Sequence, residues 1–204
     1  MGALFNLLFP WLAHGEMLKV GAAAPEFSTT ALLGDQATPV KLSDYRGRKV
    51  VLYFYPKDGT PGCTKEACTF RDGYNDLHRW GIVLLGCSID SADSHRAFAR
   101  KYSLPFPLLL DPDNKIAKAY GADNGIPILG LDRRVTYVIG EDGHILKVYP
   151  SVDPASHAKQ IVRDLGADKL PPTPVATPTP AAAESTAMPK LRKGVDSDSD
   201  SEPD

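Results

Sequence analysis

Residues 53–72 read YFYPKDGTPGCTKEACTFRD, and this stretch determines both the local fold and the chemistry that the chain can support. The aromatic run at its start is typical of a buried strand, and the following Lys-Asp-Gly predicts a turn. Thr60 is a favoured N-cap residue, and Pro61 is favoured at the first position of a helix. The sequence therefore predicts a strand, a turn and a helix, with Cys63 at the third helical position.

A cysteine in the first turn of a helix lies beside unpaired N–H groups and the positive end of the helix dipole, which both stabilise an anion. We therefore expect the pKa of the Cys63 thiol to fall below its ordinary value of about 8.5, which would make the sulfur a nucleophile at neutral pH. The surrounding cap residue, proline and glycine also favour a sulfur that solvent can reach over a buried, inert cysteine.

Cys68 follows Cys63 by five positions. On an intact helix their Cα atoms would lie roughly 8–9 Å apart, whereas a disulfide needs less than about 7 Å. The pair is therefore not a preformed bridge, and joining it would require the first helical turns to unwind. Thr64 and Thr69 are weak helix formers and lower the cost of unwinding. The alternative is a structural Cys68 packed on the helix, while Cys87, in the middle of a strand-like run, is interpreted as a buried spectator.

Strand-like and helix-like segments alternate on both sides of this stretch, which predicts an α/β fold with a mixed central sheet and helices on both faces. Cys63 would then lie beyond the carboxyl end of a strand, where open α/β sheets place their ligands. The predicted strands cover 49–55, 82–89 and 106–110, with a hairpin from 135–139 and 144–149, and the predicted helices cover 63–80, 91–102, 114–120 and 154–165.

The 204 residues predict one domain over residues 17–170, preceded by an apolar extension at 1–16. Residues 171–204 form a Pro- and Ala-rich tail with an acidic end, a composition that predicts disorder. This tail carries a net charge of −3, so the rest of the chain, whose total is −2, carries +1. A domain whose net charge is near zero lacks the excess of positive charge that binds nucleic acid, so nucleic-acid binding is not expected.

Residues 1–13 are strongly apolar and contain no Lys or Arg, which a secretory signal would place near its start. They are also too few to span a bilayer, which takes about 20 apolar residues. Two interpretations stay open: an aromatic-rich hook that docks on the body or on a membrane surface, and translation that starts at Met17. The odd count of three cysteines suits a reducing compartment, so we expect a cytoplasmic protein.

Residues 56–68, PKDGTPGCTKEAC, resemble the active-site signature of the peroxiredoxins, in particular the bacterioferritin comigratory protein or peroxiredoxin Q branch. The likeness extends over about residues 17–168. It implies a thioredoxin-like fold and a thiol peroxidase that reduces hydroperoxides without metal, haem or another cofactor. It also implies an enzyme that is usually a monomer and is recycled by thioredoxin or a similar dithiol.

The resemblance assigns a role to each matching residue. Cys63 corresponds to the peroxidatic cysteine, and Cys68 to the resolving cysteine that forms a disulfide with it. Thr60 corresponds to the hydroxyl that contacts the thiolate and the peroxide, although the same hydroxyl could instead cap the helix. Pro56 corresponds to the residue that shields the site.

The family also places an arginine near the sulfur from a later strand. The run RRVTYVI at 133–139 matches that strand and puts Arg134 at the expected position. Its fixed charge would stabilise the thiolate and polarise the peroxide, whereas Arg133 is interpreted as a solvated residue. The segment 121–131 departs from the pattern, being short and apolar, which leaves substrate preference open.

Three other functions compete with the peroxidase. A thiol–disulfide oxidoreductase would want two residues between its cysteines, and here there are four. A metal module could use Cys63, Cys68 and His78, but the five histidines are scattered singly, so no metal site is expected. A non-enzymatic scaffold would act through the acidic tail. A peroxide-consumption assay on the wild type and a Cys63→Ser variant separates all three from the peroxidase.

Overall fold

The computed structural model describes residues 16–123 and 132–166. Within these residues, seven strands form one mixed sheet in the order β2-β1-β5-β4-β3-β6-β7. The pairs β3–β4 and β4–β5 are parallel and the others are antiparallel. The strands are β1 (Ser28–Leu33), β2 (Gln36–Lys41), β3 (Val50–Phe54), β4 (Val83–Ser88), β5 (Leu108–Leu110), β6 (Val135–Ile139) and β7 (Ile145–Tyr149).

Between residues 16 and 166, leaving aside 124–131, five α-helices and a 3-10 turn at Leu42–Tyr45 flank the sheet. Buried side chains from α1, α2, α3 and α5 pack in one core, and those from α4 and the 3-10 turn pack in a second core. This arrangement confirms the predicted α/β fold with helices on both faces. In the described part of the chain, no helix has the length and apolar character needed to cross a membrane. The helices are α1 (Pro61–Asp72), α2 (Tyr74–Arg79), α3 (Ala92–Tyr102), α4 (Lys115–Ala119) and α5 (His157–Asp164).

The central strand β3 is buried on both faces, and its alternating residues divide between the two cores. Val51 and Tyr53 point into the core that contains α1, while Leu52 and Phe54 point into the opposite one. Packing in both cores therefore fixes the position and the direction of the end of β3. The turn that follows carries the chain directly into α1, so this strand positions the start of that helix.

One element predicted from the sequence was wrong, and one pair of strands was not predicted. The helix predicted over 63–80 is broken at Gly73, which separates α1 from α2. Glycine is a weak helix former, and Gly73 leaves the helical conformation at φ −92° and ψ 1°. The hairpin of β1 and β2 was missed because β2 is largely exposed and contains Pro39, so its apolar pattern is weak.

The remaining predicted elements are present with slightly different bounds. Ser91 caps α3 as predicted, with its hydroxyl accepting from the Ser94 amide at 3.3 Å. Residues 1–15 of the N-terminal extension, the whole tail and residues 124–131 of the divergent segment lie outside the described residues. The predictions for those segments therefore stay predictions.

Candidate active site

The turn between β3 and α1 sets the position of Cys63. Gly59 adopts a positive φ of 72°, which favours glycine, and Thr60 is extended at φ −69° and ψ 150° as the N-cap residue. The helix then begins at Pro61, and its first bond runs from the Thr64 amide to the Thr60 carbonyl at 2.8 Å. Cys63 is therefore the third helical residue, as the sequence predicted, and its own amide faces the end of the helix that favours anions.

Arg134 reaches the sulfur from the residue just before β6. Its Nη2 lies 3.2 Å from Cys63 Sγ and donates to it. Gly62 permits this approach, because a Cβ at that position would lie 3.1 Å from the same nitrogen. The arginine that the resemblance singled out thus lies in hydrogen-bonding contact with the cysteine.

Cys63 is only 2% exposed, so the expectation of an open sulfur is wrong for this conformation. The third helical position faces inward, and the side chain packs in the core that contains Tyr53, Tyr55 and Ala67. Arg134, which is 19% exposed, lies on the sulfur as well. The local sequence could not indicate this burial, because the arginine that covers the sulfur lies 71 residues later in the chain.

Glu66 is the site residue that the sequence analysis missed. Its carboxylate is fully buried, and Oε2 accepts a short hydrogen bond from Arg134 Nη1. Burial raises the pKa of Glu66 to about 7, although the neighbouring guanidinium opposes this shift. Glu66 lies three residues after Cys63 and hence on the same helix face, a spacing that could have revealed it. One guanidinium therefore bridges the sulfur and this carboxylate.

Thr60 and Pro56 lie at the mouth of the same turn. The Thr60 hydroxyl donates to the Lys57 carbonyl at 3.0 Å and makes no capping bond, so capping does not occupy it. Its oxygen keeps lone pairs for an incoming donor. Pro56 is half-buried directly after Tyr55. The roles of both residues toward a peroxide remain predictions.

Cys68 is half-buried on the continuous helix α1, and all three cysteines are free. The intact helix keeps Cys68 and Cys63 beyond disulfide range. The Thr69 hydroxyl holds this part of α1, since it lies 2.8 Å from the Glu66 carbonyl and 3.1 Å from the carbonyl of Pro154. Cys87 is completely buried, as predicted, and burial raises the pKa of its thiol.

A second polar cluster lies behind the turn. The side chains of Asp58, Asp90 and His95 converge, with their ligand atoms within 4.8 Å of one another. Each is already bonded to protein groups: His95 Nδ1 to Asp58 Oδ2 at 2.8 Å, and Asp90 Oδ2 to the Asp58 amide and the Ser88 hydroxyl, both at 2.8 Å. These bonds account for the convergence without a metal ion.

Residues 20–148 match the AhpC/TSA family. The chain belongs to this family and is a peroxiredoxin. Peroxiredoxin Bcp of Bacillus subtilis is 39% identical to it over 153 residues, which are 72% of this chain and 95% of that protein. Its membership confirms the family that residues 56–68 suggested and makes it a peroxidase that uses a thiol.

Solved structures agree with this assignment. Peroxidoxin BcpB of Mycobacterium tuberculosis superposes on this peroxiredoxin with a TM-score of 0.67 and 32% identity, covering 76% of this chain and all of that one. The bacterioferritin comigratory protein of Xanthomonas campestris gives a TM-score of 0.60 and 30% identity, covering 68% and 90% of the two chains. The predicted thioredoxin-like fold is thereby confirmed, and Cys63, Glu66 and Arg134 all lie within the residues that match the family.

Proposed function

We propose that this peroxiredoxin reduces hydrogen peroxide and organic hydroperoxides to water and alcohols through a sulfenic acid on Cys63. The contact between Cys63 Sγ and Arg134 Nη2 at 3.2 Å is the observation that carries the proposal. A thiolate held at a helix start and beside a fixed cation is an activated nucleophile. The bacterioferritin comigratory protein of Xanthomonas campestris has alkyl peroxide reduction activity, which supports the inclusion of organic hydroperoxides.

In the first step the Cys63 thiolate attacks the terminal oxygen of the hydroperoxide. An S–O bond forms as the O–O bond breaks, and the other oxygen leaves with the electron pair and takes a proton to become water or an alcohol. Cys63 is thereby oxidised to the sulfenic acid. Arg134, the Cys63 amide and the Thr60 hydroxyl hold the two oxygens and stabilise the charge that develops on the leaving one.

In the second step Cys68 resolves the sulfenic acid. Its thiolate attacks the Cys63 sulfur, the S–S bond forms as the S–O bond breaks, and the hydroxide that leaves takes a proton to become water. Because α1 is continuous over both cysteines, the residues between them unwind before this bond can form. Unwinding also separates Glu66 from Arg134, so this buried contact opposes the step.

A dithiol then reduces the disulfide by thiol–disulfide exchange, and we propose thioredoxin as this reductant.

We further propose a monomer that works in the cytoplasm, where free cysteines persist. Contact of residues 1–13 with a membrane is a separate question, which fractionation of the full chain against a form starting at Met17 would test.

Peroxide consumption with a thioredoxin system tests the proposal directly. The wild type and a Cys87→Ser variant should turn over, and Cys63→Ser should not. Quenching during turnover and mapping disulfides by mass spectrometry should then show a Cys63–Cys68 bridge. A Cys63→Ser variant that consumes peroxide like the wild type would exclude this mechanism.

A further inference from the structure

Asp58 lies in the middle of the turn that leads into α1, and its side chain is only 5% exposed. Three side chains donate to its carboxylate, each at 2.8 Å: the Tyr55 hydroxyl to Oδ1, and the Ser94 hydroxyl and His95 Nδ1 to Oδ2. The backbone amide of Asp58 is also bound, by Asp90 at 2.8 Å. A surface turn would not need so many buried partners, so this residue holds the turn in one position.

Of the three side chains that donate to this carboxylate, His95 is the one that also contacts strand β5. Its ring is fully buried, with Nδ1 against Asp58 Oδ2 and Nε2 3.2 Å from the Leu109 carbonyl of β5. Both ring nitrogens are therefore engaged, one with the turn and one with β5.

We propose that Asp58 and His95 form a clamp that positions Cys63 for attack on the peroxide. His95 is anchored to β5, it holds Asp58, and Asp58 fixes the turn from which α1 begins two residues later at the Thr60 N-cap. The clamp rests on the proposed function, since it acts through the position of Cys63 and Thr60. Neither Asp58 nor His95 touches the sulfur, so both are positioning residues and not catalytic ones.

Two substitutions of His95 separate positioning from mere packing. In His95→Asn the side-chain amide nitrogen takes the place of Nδ1 and keeps the donor to Asp58. In His95→Gln the nitrogen takes the place of Nε2, so the bond to Leu109 is kept and the bond to Asp58 is lost. Each variant removes one buried bond, so a role in stability alone would affect both alike.

The experiment measures the second-order rate constant for oxidation of Cys63 by hydrogen peroxide, in a Cys68→Ser background that stops before resolution. We expect His95→Gln to lower this rate constant by about tenfold to a hundredfold, since small displacements of reacting groups have effects of that size. His95→Asn should restore most of it. His144→Gln, which alters an exposed histidine on the β6–β7 turn, is the matched control. Equal rates in the two His95 variants, or a larger loss in His95→Asn, would overturn the clamp.

Thermal unfolding of each variant accompanies the rates. If the His95 variants do not fold, Ser94→Ala removes one donor to Asp58 at a half-buried position, and we expect about a twofold to fivefold lower rate constant. An unchanged rate in Ser94→Ala would then overturn the proposal. A wild type that does not react with peroxide overturns the proposed function instead. In that case the rate of Cys63 alkylation by iodoacetamide, which depends on the same helix start, decides between the variants.

Discussion

The Arg134 guanidinium bridges two buried groups of one helix, donating from Nη2 to Cys63 Sγ at 3.2 Å and from Nη1 to the Glu66 carboxylate. One planar guanidinium thus holds the Cys63 sulfur and is itself held by Glu66, one helical turn away. Arg134 therefore contributes a fixed geometry as well as a positive charge, because it contacts both groups at once. It also makes several predictions that separate charge, orientation and packing.

Arg134→Lys keeps the positive charge but loses the planar fork, so it cannot contact the sulfur and Glu66 together. We expect the rate constant of Cys63 oxidation to fall by about a hundredfold, as for the loss of one donor to a developing oxyanion. Stopped-flow measurement with hydrogen peroxide checks this. Arg133→Lys changes the adjacent, partly exposed arginine and should leave the rate constant near that of the wild type. Equal losses in both variants would contradict the assigned geometry.

Gly62→Ala tests the approach of the arginine without removing any polar group. The added Cβ would lie 3.1 Å from Arg134 Nη2, so the guanidinium must shift by a few tenths of an ångström, which disturbs its contact with the sulfur. We expect about a tenfold slower oxidation of Cys63, with little loss of stability because alanine is the better helix former. Gly73→Ala is the matched control, since its Cβ would meet only ordinary contacts at 3.4 and 3.5 Å. A Gly62→Ala enzyme as fast as the control would argue against the contact.

The raised pKa of Glu66 predicts a pH dependence of stability. Its folded pKa of about 7 exceeds the ordinary value of 4.5, so the folded state binds this proton more tightly than the unfolded state. The stabilising effect is fully present below pH 4.5 and is lost as the pH rises through about 7. Glu66→Gln abolishes the ionisation.

Urea unfolding across this range should therefore show the wild type losing stability relative to Glu66→Gln, by at most about 1.4 kcal/mol per pH unit. Above neutrality the two stabilities should run parallel. A constant difference at every pH from about 4 to about 8 would show that the carboxyl group does not change its ionisation on folding.

Cys68→Ser separates the two chemical steps. The first oxidation of Cys63 should keep its rate constant, because Cys68 lies beyond bonding distance on the intact helix. Repeated turnover with thioredoxin should be lost, and the sulfenic acid should accumulate. Steady-state peroxide consumption beside a single-turnover measurement checks both expectations. Sustained turnover of Cys68→Ser with thioredoxin would remove the resolving role from this residue.

The local sequence was sufficient to predict features that depend only on neighbouring residues. Thr60 and Pro61 mark the start of α1, and this alone places Cys63 at the third helical position. The buried strands β3 and β4 were likewise evident from their apolar runs. The resemblance to peroxiredoxins, and not the spacing, identified Arg134, because an arginine 71 residues from the cysteine leaves no local signal.

The features that sequence reasoning missed are set by contacts between distant segments. The burial of Cys63 depends on Arg134 and on the core residues beneath α1. The clamp between Asp58 and His95 joins a turn to a helix 37 residues later. Glu66 differs from these features, because its helical spacing from Cys63 could be seen in the sequence. Only its contact with Arg134 could not be predicted.

Direct observation of the oxidised sulfur tests the central claim. In the Cys68→Ser variant, one equivalent of hydrogen peroxide in the presence of a sulfenic-acid trap should modify the peptide that contains Cys63, as read by mass spectrometry. The same treatment should leave the Cys87 peptide unmodified, and Arg134→Lys should slow the modification. Modification of Cys87 in preference to Cys63, or no modification of Cys63 at all, would contradict the account.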